Sequence, residues 1–299
     1  MDHALKFTLS YTGNDADRHE IDFYDVSQAL IGFQRSLALT THLVVNDKII
    51  VQAPSLKGAR IYALPAEDGS WKITAGIIFT TAITGLYQLG TAPTNTPLGH
   101  VVHSVYDYVI SESLGFHVDY EKSLGQLQEE YKEKQIEIPE IKQHQVDSLI
   151  EKCTTAVKDM HRPICKNESA SNASITSNIG GYKMPIQANF SKETYDYIHE
   201  VYVSEELHVI EGQISSYNSN TFKGRIYIKD IGRPVSFNLT SEARHYDSVS
   251  MITNSLDANA VRRHKPELST IYCHVYLNTS RSGYLKSVTI THVSLNDPR

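Results

Sequence analysis

Between His208 and Val293 the chain runs strand, strand, strand, helix, strand, strand. The strand-like runs are His208–Ile214, Thr221–Lys229, Arg233–Leu239, Ser269–Leu277 and Tyr284–Val293, and a helical stretch covers Glu242–Leu256. Few folds accept five strands and one helix in that order. It is the order of a five-stranded OB-like β-barrel with a helix inserted after the third strand. Barrels of this kind serve mostly in binding, an argument by analogy from fold to function.

At 299 residues the chain has room for two domains, each with its own core. Hydrophobic content of 40% and charged content of 21% are those of a globular protein. Three cysteines, Cys153, Cys165 and Cys273, without CxxC spacing, fit a reducing compartment better than a disulfide framework or zinc site. The opening MDHALKFTLSYTG lacks a basic segment followed by an apolar one, so a cytoplasmic protein without a signal peptide is expected. The uncharged stretch Ile73–Gly99 contains only about a dozen strongly apolar residues, short of the roughly 20 a membrane helix needs. It is expected to be a buried core element, a partner-facing or membrane-dipping patch being the alternative; no membrane span is expected.

Charge is uneven. From Glu205 to Arg299 there are 11 basic and 9 acidic residues, net +2; the rest holds 17 and 25, net −8. That asymmetry is far from the strongly basic balance of a dedicated nucleic-acid binder.

The first part opens with Leu5, Phe7, Leu9 and Tyr11 alternating with Lys6, Thr8 and Ser10, a half-buried strand. After the polar turn GNDADRHE, a helix is expected over Asp25–Val45, with Val26, Leu30, Phe33 and Leu37 on its buried stripe. Short β-like runs follow at Lys48–Ala53, Ala59–Leu64 and Ser70–Phe79. Helical patterns then cover Val101 to Gly115, Gln126–Lys134 and Glu140–Met160, with Pro139 near the start of the last. The fold class is α+β with a helical second half. The Ser/Asn/Gly-rich KNESASNASITSNIGG reads as a connector, so the expected domains are 1–165, a linker over 166–190, and the barrel over 191–299 with a short helix, Lys192–Val203, leading in.

Candidate binding residues lie on the barrel strands. Phe222, Gly224, Ile226 and Ile228 alternate with Lys223, Arg225, Tyr227 and Lys229; Ile271, Cys273, Val275 and Leu277 alternate with Tyr272, His274 and Tyr276. Exposed cations can follow phosphates, and an exposed aromatic face can stack a base for about 1–3 kcal/mol. Arg262 and Arg263, with His264 and Lys265, could add phosphate contacts. Any antiparallel strand with one wet face also carries such residues, and small barrels equally serve protein partners. The turn residues Asp15, Asp17, His19 and Glu20 could hold a hydrolytic metal, or could simply cap a β-to-α connection. His100 and His103 lie three apart on a helix and could share a metal, but no acid accompanies them.

Phosphate-loop, dinucleotide, nucleophile-elbow and HExxH motifs are all missing, and Glu67 with Lys72 lacks the spacing of a nuclease core. No catalytic residue and no cofactor is therefore expected. The segments YTGNDADRHEID, GFQRSL and LPAEDGSW, with GQISSYNSNTFKGRIYI, GRPVSFNL and SGYLKSVTITHV, resemble a two-domain family of uncharacterised bacterial and prophage proteins with an N-terminal α+β domain and a C-terminal small barrel. That family has no assigned activity, so the resemblance carries no catalytic residue over; its presence in mobile elements implies a role in phage–host conflict, in defence or in blocking it. Three functions stay open: a non-catalytic interaction protein acting on a protein partner or as a homo-oligomer, a nucleic-acid-binding accessory protein, and a metal-dependent hydrolase centred on Asp15, Asp17 and His19.

Overall fold

The computed structural model describes residues 5–65, 71–79, 97–116, 118–136, 138–199, 201–260, 269–279, 283 and 285–297. They form two compact units, Met1–Ile198 and His199–Arg299.

The first unit is an antiparallel sheet backed by helices. Strand β1 (Leu5–Thr12) is central, because its alternation buries Leu5, Phe7, Leu9 and Tyr11 on one face. On one side it pairs with β3 (Lys72–Phe79), which pairs with β2 (Ala59–Leu64). On the other it pairs along its whole length with β4 (Asn172–Ile179), followed by β5 (Tyr182–Pro185). The spatial order is β2-β3-β1-β4-β5. The expected linker over 166–190 is thus corrected: its middle is a core strand that buries Ala173, Ile175, Ser177 and Ile179, and its Ser, Thr and Asn residues fill the opposite face.

Helix α1 (Phe23–Asn46) starts where the Asp22 side chain accepts the Asp25 N–H at 2.9 Å. From Leu37 to Val44 every residue is buried, because the helix lies between the sheet and its helical neighbours. Those neighbours are α2 (Pro97–Ser113) and α4 (Gln143–Met160); α3 (Gln126–Glu133) lies between them in sequence, and the short α5 (Arg162–Cys165) follows. Gly32 sets the distance between α1 and α4, since a Cβ there would stand 2.4 Å from the Ala156 carbonyl oxygen. Buried hydrogen bonds fix the layers: Tyr11 to the Met160 carbonyl (2.7 Å), Ser36 with Tyr106 (2.9 Å), and Ser177 on β4 with His103 Nδ1 on α2 (2.8 Å). The run Lys48–Ala53, expected as a strand, is a loop. Its Ile49 and Ile50 pack on the core, while Lys57 N–H donates to His42 Nδ1 and Asn46 donates to the Lys57 carbonyl. Of the uncharged stretch, Ile73–Phe79 is β3 with Ala75 and Ile77 buried, and Thr80–Thr96 lies outside the described residues. No helix among the described residues is long and apolar enough to cross a membrane. Helix α6 (Lys192–His199) closes this unit instead of opening the barrel.

The second unit is a closed five-stranded barrel of mixed direction. Strands β7 (His208–Asn218), β8 (Lys223–Ile228) and β9 (Arg233–Leu239) form antiparallel hairpins. Strand β11 (Leu285–Ser294) runs parallel to β9 and antiparallel to β10 (Thr270–Thr279), which closes the wall on β7. The two-residue β6 (Tyr202–Val203) adds to β10 at Asn278 and Thr279. Helix α7 (Tyr246–Ala260) enters between β9 and β10; its Ser255 hydroxyl accepts the Ile214 N–H and donates to the Ser269 carbonyl, and Asn259 donates to the Ile214 carbonyl at 2.9 Å. The lumen is filled by Ile214, Ile226, Phe237, Ile271, Val275 and Ile290 with their neighbours. Phe237 lies against Gly224, where a Cβ would stand 2.1 Å from the Ser216 carbonyl oxygen. Cys153 and Cys273 are buried in the two cores, and burial pushes both thiols up to about 12.

Candidate interaction surfaces

The barrel residues expected to bind are spread over two strands. Lys223, Arg225 and Tyr227 are on β8, Tyr272 and Tyr276 on β10, and β7 runs between them. Across β7 the two strands still meet: Lys229, just after β8, bonds Glu211 of β7, which stands opposite Tyr272 of β10, and Tyr272 acts on the lysine electrostatically.

On the β8 face Lys223 is exposed and Tyr227 is 37% exposed. Arg225 departs from expectation: it is only 4% exposed, lies between Ser216 and Ser236 on the flanking strands, and donates to the Pro234 carbonyl at 3.2 Å. A β-bulge between Ile214 and Ser216 lets Ser215 reach the Arg225 carbonyl. The guanidinium therefore ties two strands together and is withdrawn from solvent. Lys229 bonds Glu211 at 2.9 Å, which raises the lysine above its ordinary range and neutralises it locally.

On the β10 side Tyr272, His274 and Tyr276 are half-buried, and His274 faces His292 of β11 with ring centroids 5.7 Å apart. Arg262 and Arg263 lie outside the described residues.

The turn after β1 is a short 3-10 helix, Asn14–Arg18. Asp15 is paired with Arg18 at 2.6 Å, Asp17 accepts the Gly13 N–H at 2.7 Å, and His19 ends the turn in the left-handed region. These acids serve the turn itself. His103 is buried against Ser177, and burial, with His100 beside it, lowers it to about 4; burial lowers His100 as well, against the opposing pull of Glu130. Asp107, one turn beyond His103, is raised by burial and accepts the Gln187 N–H at 2.8 Å. Among the described residues no three metal-ligating side chains converge.

A surface that the sequence reading passed over lies on α1. Phe23 is 83% exposed, Tyr24 63% and Ile31 57%, with Ser27, Gln28 and Gln34 on the same side of the helix. From Phe23 to Gln34 the one charged residue is Asp25, which is buried and held by Arg162 and Asn167. A lone exposed apolar side chain is ordinary, but these three share one helix face, with the Arg162 guanidinium over the Tyr24 ring at 5.2 Å and Arg35 one turn beyond Ile31.

Two family models match the chain. The first, a domain of unknown function (DUF7946), covers residues 7–199. The chain belongs to this family. A second, a family of unknown function (DUF7947), covers residues 206–293. The DUF7946 part runs from β1 through α6 and the DUF7947 part spans β7 to β11, so the protein joins two domains, each of a family of unknown function, divided at the same place as its two compact units. Comparison with curated proteins and with solved structures found no match. The α1 patch thus belongs to the DUF7946 part, and the β8 and β10 faces to the DUF7947 part.

Proposed function

We propose that the chain is a non-catalytic interaction or assembly protein that works through protein–protein contacts. The observation that carries this reading is the exposed apolar face of α1 at Phe23, Tyr24 and Ile31. Covering one such side chain contributes about 1.5–3 kcal/mol, so the face gains several kcal/mol when a partner sits on it. The polar groups that could have served catalysis point the same way: Asp15, Asp17, His103 and Asp107 are each engaged in local bonds that shape the fold. The likeness to prophage-borne proteins favours an assembly role in phage–host conflict, as a component of a defence system or an inhibitor of one. The test is isolation of the full chain from its native host, beside Phe23→Lys and Ile31→Glu. The native chain should bring down a complex of fixed stoichiometry that both substitutions abolish without changing the circular dichroism. A native chain recovered alone as a monomer would refute the proposal.

A second reading, nucleic-acid binding by the barrel, is favoured by one observation. The pairing β7-β8-β9-β11-β10, with a helix between the third and fourth strands, fits an OB-type barrel, and such barrels bind on their second and third strands. Lys223 and Tyr227 are exposed on the second strand here. Binding of a single-stranded oligonucleotide should then weaken with salt and fall on Lys223→Ala and Tyr227→Ala. Binding that neither substitution weakens would sink this reading.

A further inference from the structure

Two imidazoles stand side by side on the outer wall of the barrel. His274 on β10 and His292 on β11 are direct cross-strand partners, and their ring centroids are 5.7 Å apart with the ring planes at 59°. Residues directly opposite on paired strands have Cβ atoms about 4.5–5.5 Å apart, so both rings can turn toward one point. The pair exists because of a β-bulge. Val288 and Ile290 fill the lumen, and strict alternation would send residue 292 inward after them. The register shift between His274 and Val275 adds Thr291 to β11, so Val293 takes the next buried place and His292 stays exposed. Thr291 pins the bulge by donating to the His274 carbonyl at 3.1 Å. We infer that His274 and His292 together bind a divalent ion of the zinc class, at a site separate from the protein–protein reading above.

Geometry and chemistry both select that ligand. Two imidazoles on one zinc ion, each with a Zn–N bond of about 2.0–2.1 Å, stand with centroids roughly 5 Å apart at the tetrahedral angle, so a small rotation of the exposed ring closes the pair. Neutral imidazole nitrogen suits zinc, copper and nickel ions, whereas calcium and magnesium take oxygen ligands. Glu211, diagonal to His274 on β7, is bonded to Lys229 at 2.9 Å. Elsewhere histidines spend a ring nitrogen on the fold: His42 accepts the Lys57 N–H, His103 bonds Ser177, His161 bonds Thr194, and His245 bonds the Glu242 carbonyl. His274 and His292 make no such bond among the described residues, so each keeps a ring nitrogen for a metal. His292 is exposed and His274 half-buried, which leaves the pair open to solvent. Among the described residues no third ligand converges, so water completes the shell and the ion exchanges more readily than one in a four-ligand structural site.

The experiment is a calorimetric titration of the untagged full chain with zinc chloride alone. The native chain should take up one zinc ion at this site in a saturable step that calcium and magnesium do not reproduce. His274→Gln and His292→Gln should each weaken that step at least ~10-fold, because one imidazole cannot chelate. His208→Gln, which removes another exposed histidine of the barrel, should leave it unchanged. Since His292 is exposed, its substitution should preserve the circular dichroism of the native chain. A second measurement needs no variant: in NMR spectra of the native chain, the ring signals of His274 and His292 should move together as zinc is added. Absence of a saturable step overturns the inference, as does equal uptake of calcium or magnesium. Binding that survives either substitution, or a shift of one ring signal without the other, would mark an adventitious ion on a single histidine and overturns it too.

Discussion

Asp25 offers the sharpest energetic test of the first unit. Its carboxylate is buried in the first turn of α1, where one oxygen accepts Arg162 Nη2 at 2.9 Å and Nε at 3.1 Å, and the other accepts Asn167 Nδ2 at 3.0 Å. Arg162 is less enclosed, with 27% of its side chain exposed against 2% for Asp25. The two truncations are therefore unequal. Arg162→Ala strands a buried carboxylate with one remaining donor and should cost about 3–4 kcal/mol; Asp25→Ala leaves a guanidinium that can turn to water and should cost about 2 kcal/mol. Because the double variant strands neither charge, it should be no more unstable than Arg162→Ala alone, a coupling of at least about 2 kcal/mol. The arginine also lies over the Tyr24 ring at 5.2 Å, which adds about 0.5–1 kcal/mol to its loss alone. Urea unfolding followed by tryptophan fluorescence isolates this unit, since the chain's single tryptophan, Trp71, packs edge-on against Tyr11 within it. Additive single losses, within about 0.5 kcal/mol, or a larger loss from Asp25→Ala, would refute the reasoning.

Three shorter predictions follow from the same geometry. His103 is held to about 4 in the folded chain against 6.5 for the free residue, so the unfolded chain binds the extra proton between those values. Stability of the first unit should be unaffected above pH 6.5 and fall as pH drops from there toward 4, by up to about 3 kcal/mol. The decline should flatten in His103→Gln, and an unchanged slope in that variant would contradict the assignment. Gly224→Ala should destabilise the barrel by about 3 kcal/mol through its clash with the Ser216 carbonyl and the Phe237 ring, seen by circular dichroism with the Trp71 transition unmoved. Arg225→Met should lower barrel stability by about 1–2 kcal/mol while Lys223→Ala stays within about 0.5 kcal/mol; equal effects would mean that Arg225 is not the buried tie between strands.

The parts of the fold that were legible are those where periodicity and residue size agree. Leu5, Phe7, Leu9 and Tyr11 alternate with polar residues and form the central strand, and the five barrel strands follow runs of Ile and Val at period two. Strand β4 escaped because its buried positions are Ala173, Ile175, Ser177 and Ile179 among Ser, Thr and Asn, the composition of a linker. What makes it a strand is supplied from afar, by eight pairings to β1. Lys48–Ala53 misled in the opposite sense. Its Ile49, Ile50 and Val51 suit a strand, but the segment packs as a loop beside α1, and Val51 is exposed. Arg225 was placed on the correct side of its strand; its burial depends on the bulge in β7 and on the Pro234 carbonyl, neither of which alternation along β8 encodes.

The α1 patch was present in the sequence and was lost by asking only which residues face inward. Val26, Phe33 and Leu37 define the buried stripe, and a helix with one wet face should then carry polar residues at the remaining positions. Phe23, Tyr24 and Ile31 break that rule on the first and third turns, with Ser27 and Gln28 between them and Arg162 lying over Tyr24. Tyr24 is used within the chain, under the Arg162 guanidinium at 5.2 Å, while Phe23 and Ile31 are left to solvent. The barrel strands break no such rule: their outward Lys, Tyr and Ser are what any solvated sheet carries, and their one withdrawn cation already has its carbonyl. The surplus hydrophobicity of the first helix, more than the charge of the barrel, is the observation on which the proposed protein–protein reading rests.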